Sequence, residues 1–227
     1  AFLNLGRGFR APQTLELYRL QNGQDVADLD SEKLDSVELG IRQIGTRTTV
    51  NLVGYHLYKR DSTFRDAEGY NVSGARTRHR GVEADLDLWL DADWFLGANV
   101  SYALHQYDFD ALGRGESFVA GNTVRAAPRW LGGIDVRYQP QDSWQAGLRL
   151  QHVGEYFLDS ANLHRYRGHT ILNLRTAIPL TERLVFSITI NNLFDRRYAD
   201  RAEFARRDYR YLPGRGREAF AELRFSP

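Results

Sequence analysis

The stretch VEADLDLWL (82–90) puts Val82, Ala84, Leu86, Leu88 and Leu90 on one face of an extended chain and Glu83, Asp85 and Asp87 on the other. A period of two is the signature of a strand with one apolar side, and it is incompatible with a helix, whose faces repeat every 3.6 residues. The same alternation returns in LGANVSYAL (96–104), where Leu96, Ala98, Val100, Tyr102 and Leu104 oppose Asn99 and Ser101. Ile134, Val136 and Tyr138 oppose Asp135 and Arg137; Trp144, Ala146, Leu148 and Leu150 oppose Gln145, Arg149 and Gln151; Phe186, Ile188 and Ile190 oppose Ser187, Thr189 and Asn191. Residues 48–60 are strand-like with no clear phase. The pattern predicts about ten strands and no helix.

The connections alternate in length. Short ones fall at 44–47, 90–93, 139–143 and 179–183, and long ones at 10–35, 61–72, 107–121, 157–167 and 194–214. Up-and-down transmembrane barrels have this asymmetry, with short turns at one rim and long loops at the other. No apolar run reaches the roughly 20 residues of a membrane helix, but strands that alternate cross lipid without one. Trp94, Tyr138 and Trp144 lie beside the short turns, where an interfacial girdle belongs. A soluble β-sandwich with one wet face per sheet also fits the alternation. It accounts less well for strands of ten or more residues and for every second connection being long.

Net charge is +1 over 227 residues, so bulk electrostatics do not point to nucleic acid. Cysteine is absent, which excludes disulfides and thiolate metal sites. Methionine is absent even at position 1, so the chain reads as processed or as a piece of a longer product.

Two short stretches, Gly6 to Ala11 and Gly214 to Ala219, imitate the glycine fingerprint of dinucleotide-binding folds. The context rejects it. Pro12 turns the chain away from helical geometry after Ala11, the acids near Asp25 to Asp30 sit in a polar stretch, and Glu218 to Phe225 alternate as a strand. Gly6 and Gly8 instead suggest a bulge or a close backbone approach where a strand passes into a long loop.

Five segments, in order, are similar to the C-terminal barrel of TonB-dependent outer-membrane receptors. GRGFRAPQTLELY (6–18) resembles a strand-to-loop segment, LDSEKLDSVELGIR (29–42) an acidic loop leading into an outer strand, and RTRHRGVEADL (76–86) the family's "RGVE" strand. NNLFDRRY (191–198) resembles the Asn-Leu-Phe-Asp motif, and PGRGREAFAELRF (213–225) the closing strand. The resemblance implies an all-β, antiparallel, up-and-down transmembrane barrel, present as an open half-barrel of a larger plugged one. Residues 1–227 would be the C-terminal portion, with the plug domain and earlier strands absent.

The implied function is active import across the bacterial outer membrane of a ferric siderophore or similar scarce nutrient, energised by the TonB complex through the missing plug region. Such a receptor is not an enzyme and carries no cofactor. Its partners would be outer-membrane lipid, lipopolysaccharide and a small-molecule metal chelate, with no nucleic acid. The alternatives are a complete ten-stranded barrel such as an omptin-like protease, for which no opposed Asp and His motif is found, and a soluble β-sandwich binding module.

Catalytic residues are not expected. Glu83, Asp85 and Asp87 share one strand face, and same-strand spacing does not create an acid–base pair; they are expected to meet plug residues or arginines of neighbouring strands. The six histidines are scattered, and no pair has metal-site spacing with a third ligand nearby. The candidate ligand-binding residues lie in the last long loop: Arg206, Arg207, Tyr209, Arg210 and Tyr211. Residues 195–217 hold eight arginines against four acids, with tyrosine and phenylalanine between them. Guanidinium forks and aromatic rings suit an anionic chelate, and the same arginines suit lipopolysaccharide phosphates.

Overall fold

The computed structural model describes residues 1–18, 25, 27–65, 71–109, 119–205 and 207–226. In chain order the elements are β1 (Phe2–Arg10), α1 (Thr14–Tyr18), β2 (Glu32–Ile44), β3 (Thr48–Arg65), β4 (Asn71–Trp89), β5 (Trp94–Tyr107) and β6 (Trp130–Tyr138). There follow β7 (Gln145–Val153), β8 (Tyr156–Phe157), β9 (Arg165–Tyr166), β10 (His169–Thr181), β11 (Leu184–Asn191), β12 (Ala199–Ala205), β13 (Asp208–Pro213) and β14 (Glu218–Phe225). Ten strands form one sheet in the order β1-β2-β3-β4-β5-β6-β7-β10-β11-β14. The other four make two hairpins, β8–β9 and β12–β13, inside stretches the sequence presents only as long connections. The five-residue α1 sits in the first long loop, where no helix is expected.

Sequential antiparallel pairing puts every short connection at the same end of the sheet. No second large sheet covers the first, and among the described residues no large side chain is fully buried. The sandwich reading therefore fails. The sheet is also open, since β1 and β14 do not pair.

Register fixes the two faces. Leu86 stands opposite Val50 and Ala98, Ala98 opposite Ile134, and Ile134 opposite Leu150. Leu148 pairs Val136 and Leu174, and Ile188 pairs Thr176 and Ala221. Residues 48–60, phaseless in sequence, join through Val50 and Leu52, which meet Leu86 and Ala84. On the other face Asp85 stands opposite Asn51 and Asn99, and Asp135 opposite Arg149. The Arg149 guanidinium donates to Asp135 at 2.8 Å. The acidic row of β4 is not so matched: Asp85 accepts from Asn51 at 3.3 Å, and none of Glu83, Asp85 and Asp87 has an arginine partner among the described residues.

The apolar face is bounded by aromatics at both levels. Trp94, Tyr138 and Trp144 cluster at the short-turn end with ring centroids 5.0 and 4.9 Å apart. Tyr102 and Trp130 pack at 4.6 Å on the same face nearer the long loops, a belt the sequence reading missed. From Trp94 to Tyr102 β5 advances eight residue steps, about 26 Å of strand, and a tilt of about 40° foreshortens it to about 20 Å. That approaches the roughly 25 Å apolar band of outer-membrane barrels. Above it the same face turns polar: Arg7 and Arg60 both pair with Asp35, bracing β1, β2 and β3 where they rise beyond lipid.

Two glycines explain motif residues. An added Cβ on Gly81 would come within 2.7 Å of the Tyr55 hydroxyl, because the Tyr55 side chain lies across it from β3. On Gly214 it would meet the Tyr198 ring at 2.2 Å. Gly6 and Gly8 mark no bulge, since β1 keeps an unbroken register with β2, and what crowds Gly6 is the Ser36 side chain rather than a backbone. The stretch does lead out of a strand into a loop, as expected.

Asn192 ties the last loop at its base. It is 3% exposed and has φ +51°, in the left-handed region. Its backbone N–H donates to Asn173 Oδ1 at 2.8 Å, its side-chain amide donates to the carbonyls of Arg196 and Arg215, and its Oδ1 accepts the Arg196 N–H at 2.8 Å. Asp195 accepts the Arg217 N–H at 2.8 Å. The Asn-Leu-Phe-Asp motif is thus a clamp that closes residues 192–217 onto the sheet.

Two outcomes follow for the intact protein. Leu148→Arg puts a charge on the apolar face near mid-band, at about 2–4 kcal/mol, and should deplete folded barrel in heat-modifiable electrophoresis. Arg149→Leu leaves Asp135 with Arg137 and should assemble as wild type. Asn192→Ala strands buried backbone groups, at about 1–3 kcal/mol. It should speed tryptic cleavage within 192–217 while leaving assembly of the sheet unchanged.

Candidate functional site

The extended loops opposite the short turns are built as a platform. Leu158, Ala199 and Ala202 form a small buried cluster with Tyr156, Tyr166 and Phe204 packed against it. This core holds the β8–β9 hairpin against the β12–β13 hairpin. The Tyr166 hydroxyl accepts the Ala199 N–H at 3.0 Å and bonds His169 Nδ1 at 2.9 Å. Burial pushes the Tyr156 phenol up from its ordinary pKa, so it stays protonated. Asp159, also buried, accepts the backbone N–H groups of Leu163 and His164 and meets His164 Nδ1 at 2.9 Å. That fixes the His164 ring flat on Phe204, with centroids 3.4 Å apart.

A third loop is stitched to the same platform. The Asn162 side chain exchanges two hydrogen bonds with the backbone of Thr123, and Ala126 N–H donates to the Phe157 carbonyl. Tyr107 and Asn122 reach Ser160 by its hydroxyl and carbonyl. Loops fastened by buried side chains present a surface already ordered before a ligand arrives, which lowers the entropic cost of binding.

Between the two hairpins lies an open cavity of about 720 Å³, lined by Glu155, Arg165, Tyr166, Arg167, Tyr209 and Tyr211, with Leu163 at its edge. Tyr209 and Tyr211 are two residues apart on β13 and so share a face; their rings are near parallel with centroids 6.1 Å apart. Both are well exposed, at 43% and 53%. Arg165 has one ion pair, with Glu155 at 3.5 Å, while Arg167 has none among the described residues.

Of the expected ligand residues, Tyr209 and Tyr211 line the cavity. Arg210 stands between them on the opposite face, paired across the hairpin with Glu203 at 3.9 Å. Arg207 holds the hairpin turn at φ +65° and is exposed. Arg206 lies outside the described residues. The cations at the cavity, Arg165 and Arg167, come from the preceding loop and were missed, because only the pairing of two hairpins distant in sequence brings them there. The nearest sequence signal was RYR (165–167), which repeats the arginine–aromatic alternation of the later loop.

Residues 1–193 match the sequence profile of the family described as TonB dependent receptor-like, beta-barrel. The metal-pseudopaline receptor CntO of Pseudomonas aeruginosa is 24% identical over 196 residues, 82% of this chain and 27% of that protein. The ferric aerobactin receptor of Escherichia coli is 27% identical over 219 residues, 87% of this chain and 28% of that protein. The crystal structure of the ferric yersiniabactin uptake receptor FyuA from Yersinia pestis superposes with a TM-score of 0.78 at 20% identity, covering 98% of this chain and 34% of that one. The chain thus spans little more than a quarter of the length of the relatives it matches. The open ten-stranded sheet, its two aromatic belts and the profile match agree: this chain belongs to the TonB-dependent receptor β-barrel family of the bacterial outer membrane.

Proposed function

We propose that the intact protein is an importer that captures a metal chelate, a ferric siderophore or similar scarce nutrient, on the loop platform and passes it through the barrel. The observation that carries this is the cavity where Tyr209 and Tyr211 face Arg165 and Arg167 on loops tied by buried hydrogen bonds. Arginine offers a planar fork of donors to carboxylate, catecholate or hydroxamate oxygens, and parallel rings offer faces to a ligand's aromatic or apolar parts. The printed names of the relatives, receptors for metal-pseudopaline and ferric aerobactin, support a chelate as cargo. Arg207 and Arg210, with Arg206 on sequence grounds, add positive potential around the mouth and contact lipopolysaccharide phosphates.

In this reading no covalent bond changes and the protein is not an enzyme. Residues 1–227 are the C-terminal part of a larger barrel, and the plug and the earlier strands lie outside this chain. Energy enters through contact of that plug region with the TonB complex. The unpaired edges at β1 and β14 support this, because each needs a neighbouring strand within lipid.

The test uses the intact receptor in detergent, titrated with ferric aerobactin, ferric yersiniabactin and metal-loaded pseudopaline. For whichever chelate binds, Tyr209→Ala with Tyr211→Ala should weaken affinity roughly 5- to 150-fold, the range of about 1–3 kcal/mol for two ring contacts. Arg165→Gln with Arg167→Gln should weaken it with a steeper loss at low salt, since exposed charges are screened within about 8–10 Å at physiological ionic strength. Affinities unchanged in both double variants would contradict the placement of capture at this cavity.

A further inference from the structure

Two histidines that the sequence leaves apart meet on the polar face. His79 of β4 and His105 of β5 stand directly opposite in the antiparallel register. Their Nδ1 atoms are 2.8 Å apart, and their rings are tilted 56° to each other. Both are half-buried. They share a face with Glu83 and Asp85, three residues beyond the Val82–Tyr102 pair that marks the upper aromatic belt, on the side of the long loops. Thr77 Oγ1 lies 2.8 Å from His79 Nε2.

Such a contact has one chemical meaning without an ion: one imidazole is the donor and the other the acceptor, so one proton lies between two nitrogens. Thr77 orients the pair. With its hydroxyl oxygen accepting Nε2–H, His79 has a bare Nδ1 lone pair aimed at His105, the kind of outer contact that sets the tautomer of ligating histidines. Two imidazole nitrogens each about 2.0 Å from one metal ion stand about 2.8 Å apart at a right angle and about 3.3 Å apart in a tetrahedron. The observed separation is already in that range. Replacing the shared proton by a cation requires each ring to turn by roughly 35–45°, so that its lone pair aims at the ion instead of at the facing nitrogen.

We propose that His79 and His105 form a divalent transition-metal site on the wall of the barrel. The ion is held by the two Nδ1 atoms, and its remaining positions are open to water or to donors brought by another molecule. On binding, His105 gives up its Nδ1 proton and takes one up at Nε2 through solvent, a change of tautomer, so each ring stays neutral and each donates one Nδ1 lone pair. Imidazole suits Cu²⁺, Ni²⁺ and Zn²⁺, and Cu²⁺ binds tightest in a site whose geometry is not enforced by further ligands. Among the described residues no third histidine or carboxylate joins the cluster, so the ion is exchangeable rather than structural. The inference concerns the bare ion and does not rest on chelate import.

The experiment titrates the intact protein in detergent with Cu²⁺ and reads electron paramagnetic resonance. The wild type should bind copper with hyperfine structure from two imidazole nitrogens. His79→Gln and His105→Gln should each lose that signal, while His152→Gln, on the apolar face of β7, should keep it. Folding of each variant is checked by heat-modifiable mobility. A second measurement needs no variant: Zn²⁺ should protect His79 and His105 of the wild type from carbethoxylation by diethyl pyrocarbonate, read by mass spectrometry, and should leave His152 reactive. A copper signal that survives in folded His79→Gln and His105→Gln proteins would overturn the site, as would His79 and His105 remaining equally reactive with and without saturating Zn²⁺.

Discussion

Hydrocarbon offers no hydrogen bonds, so every backbone N–H and C=O within it must find a partner in the protein. The rest of this molecule follows from that requirement. A continuous antiparallel ladder from β1 to β14 pairs the backbone strand by strand, and a sheet has two faces, so the side chains must alternate to suit lipid on one and water on the other. The unbroken row from Leu86 through Ala98 and Ile134 to Leu150 is the consequence, as is its polar counterpart from Asp85 to Asn99. One slip of register would send Arg149 into lipid and Leu148 into the lumen.

Beyond the aromatic belts the constraint lapses, and the loops fold by the rules of water-soluble structure. They use small apolar clusters, such as Leu158 with Ala199 and Ala202, and side-chain to backbone hydrogen bonds, such as those of Asn162 and Asp159. The Asn192 clamp is the joint between the two regimes: it receives the end of β11, bonds to Asn173 of β10 and sends the chain out and back in time for β14. Its left-handed backbone explains why a short amide side chain stands there, since asparagine tolerates that conformation better than most residues.

What was legible in the sequence is what lipid dictates. The strands, the phase of Leu86, Val100, Ile134, Leu148 and Ile188, the turn end and the lower girdle could all be read because each is a local, period-two consequence of a two-faced sheet. The phase of 48–60 could not, because β3 rises far past the lipid and its outer face turns from Leu52 to His56, Tyr58 and Arg60. The β8–β9 hairpin escaped because no apolar alternation marks a strand of two residues. The arginine loop was found from composition, but composition has no face. It could not show that Tyr209 and Tyr211 turn toward Arg165 and Arg167 while Arg210 turns to Glu203. The His79–His105 pair escaped for a related reason, since 26 residues separate partners that only the β4–β5 register brings together.

The central claim is that one face of this sheet meets lipid and the other an aqueous lumen, in the phase given by the ladder. Single cysteines carrying a nitroxide at each position from Gln145 to His152 test it most directly, in the intact receptor reconstituted in bilayers; residues 1–227 supply no competing thiol. Collision with lipid-soluble oxygen and with a water-soluble nickel complex should alternate with a period of two. Labels at 146, 148 and 150 should favour oxygen, and labels at 145, 149 and 151 the nickel complex. A flat profile, or the opposite phase, would contradict the account.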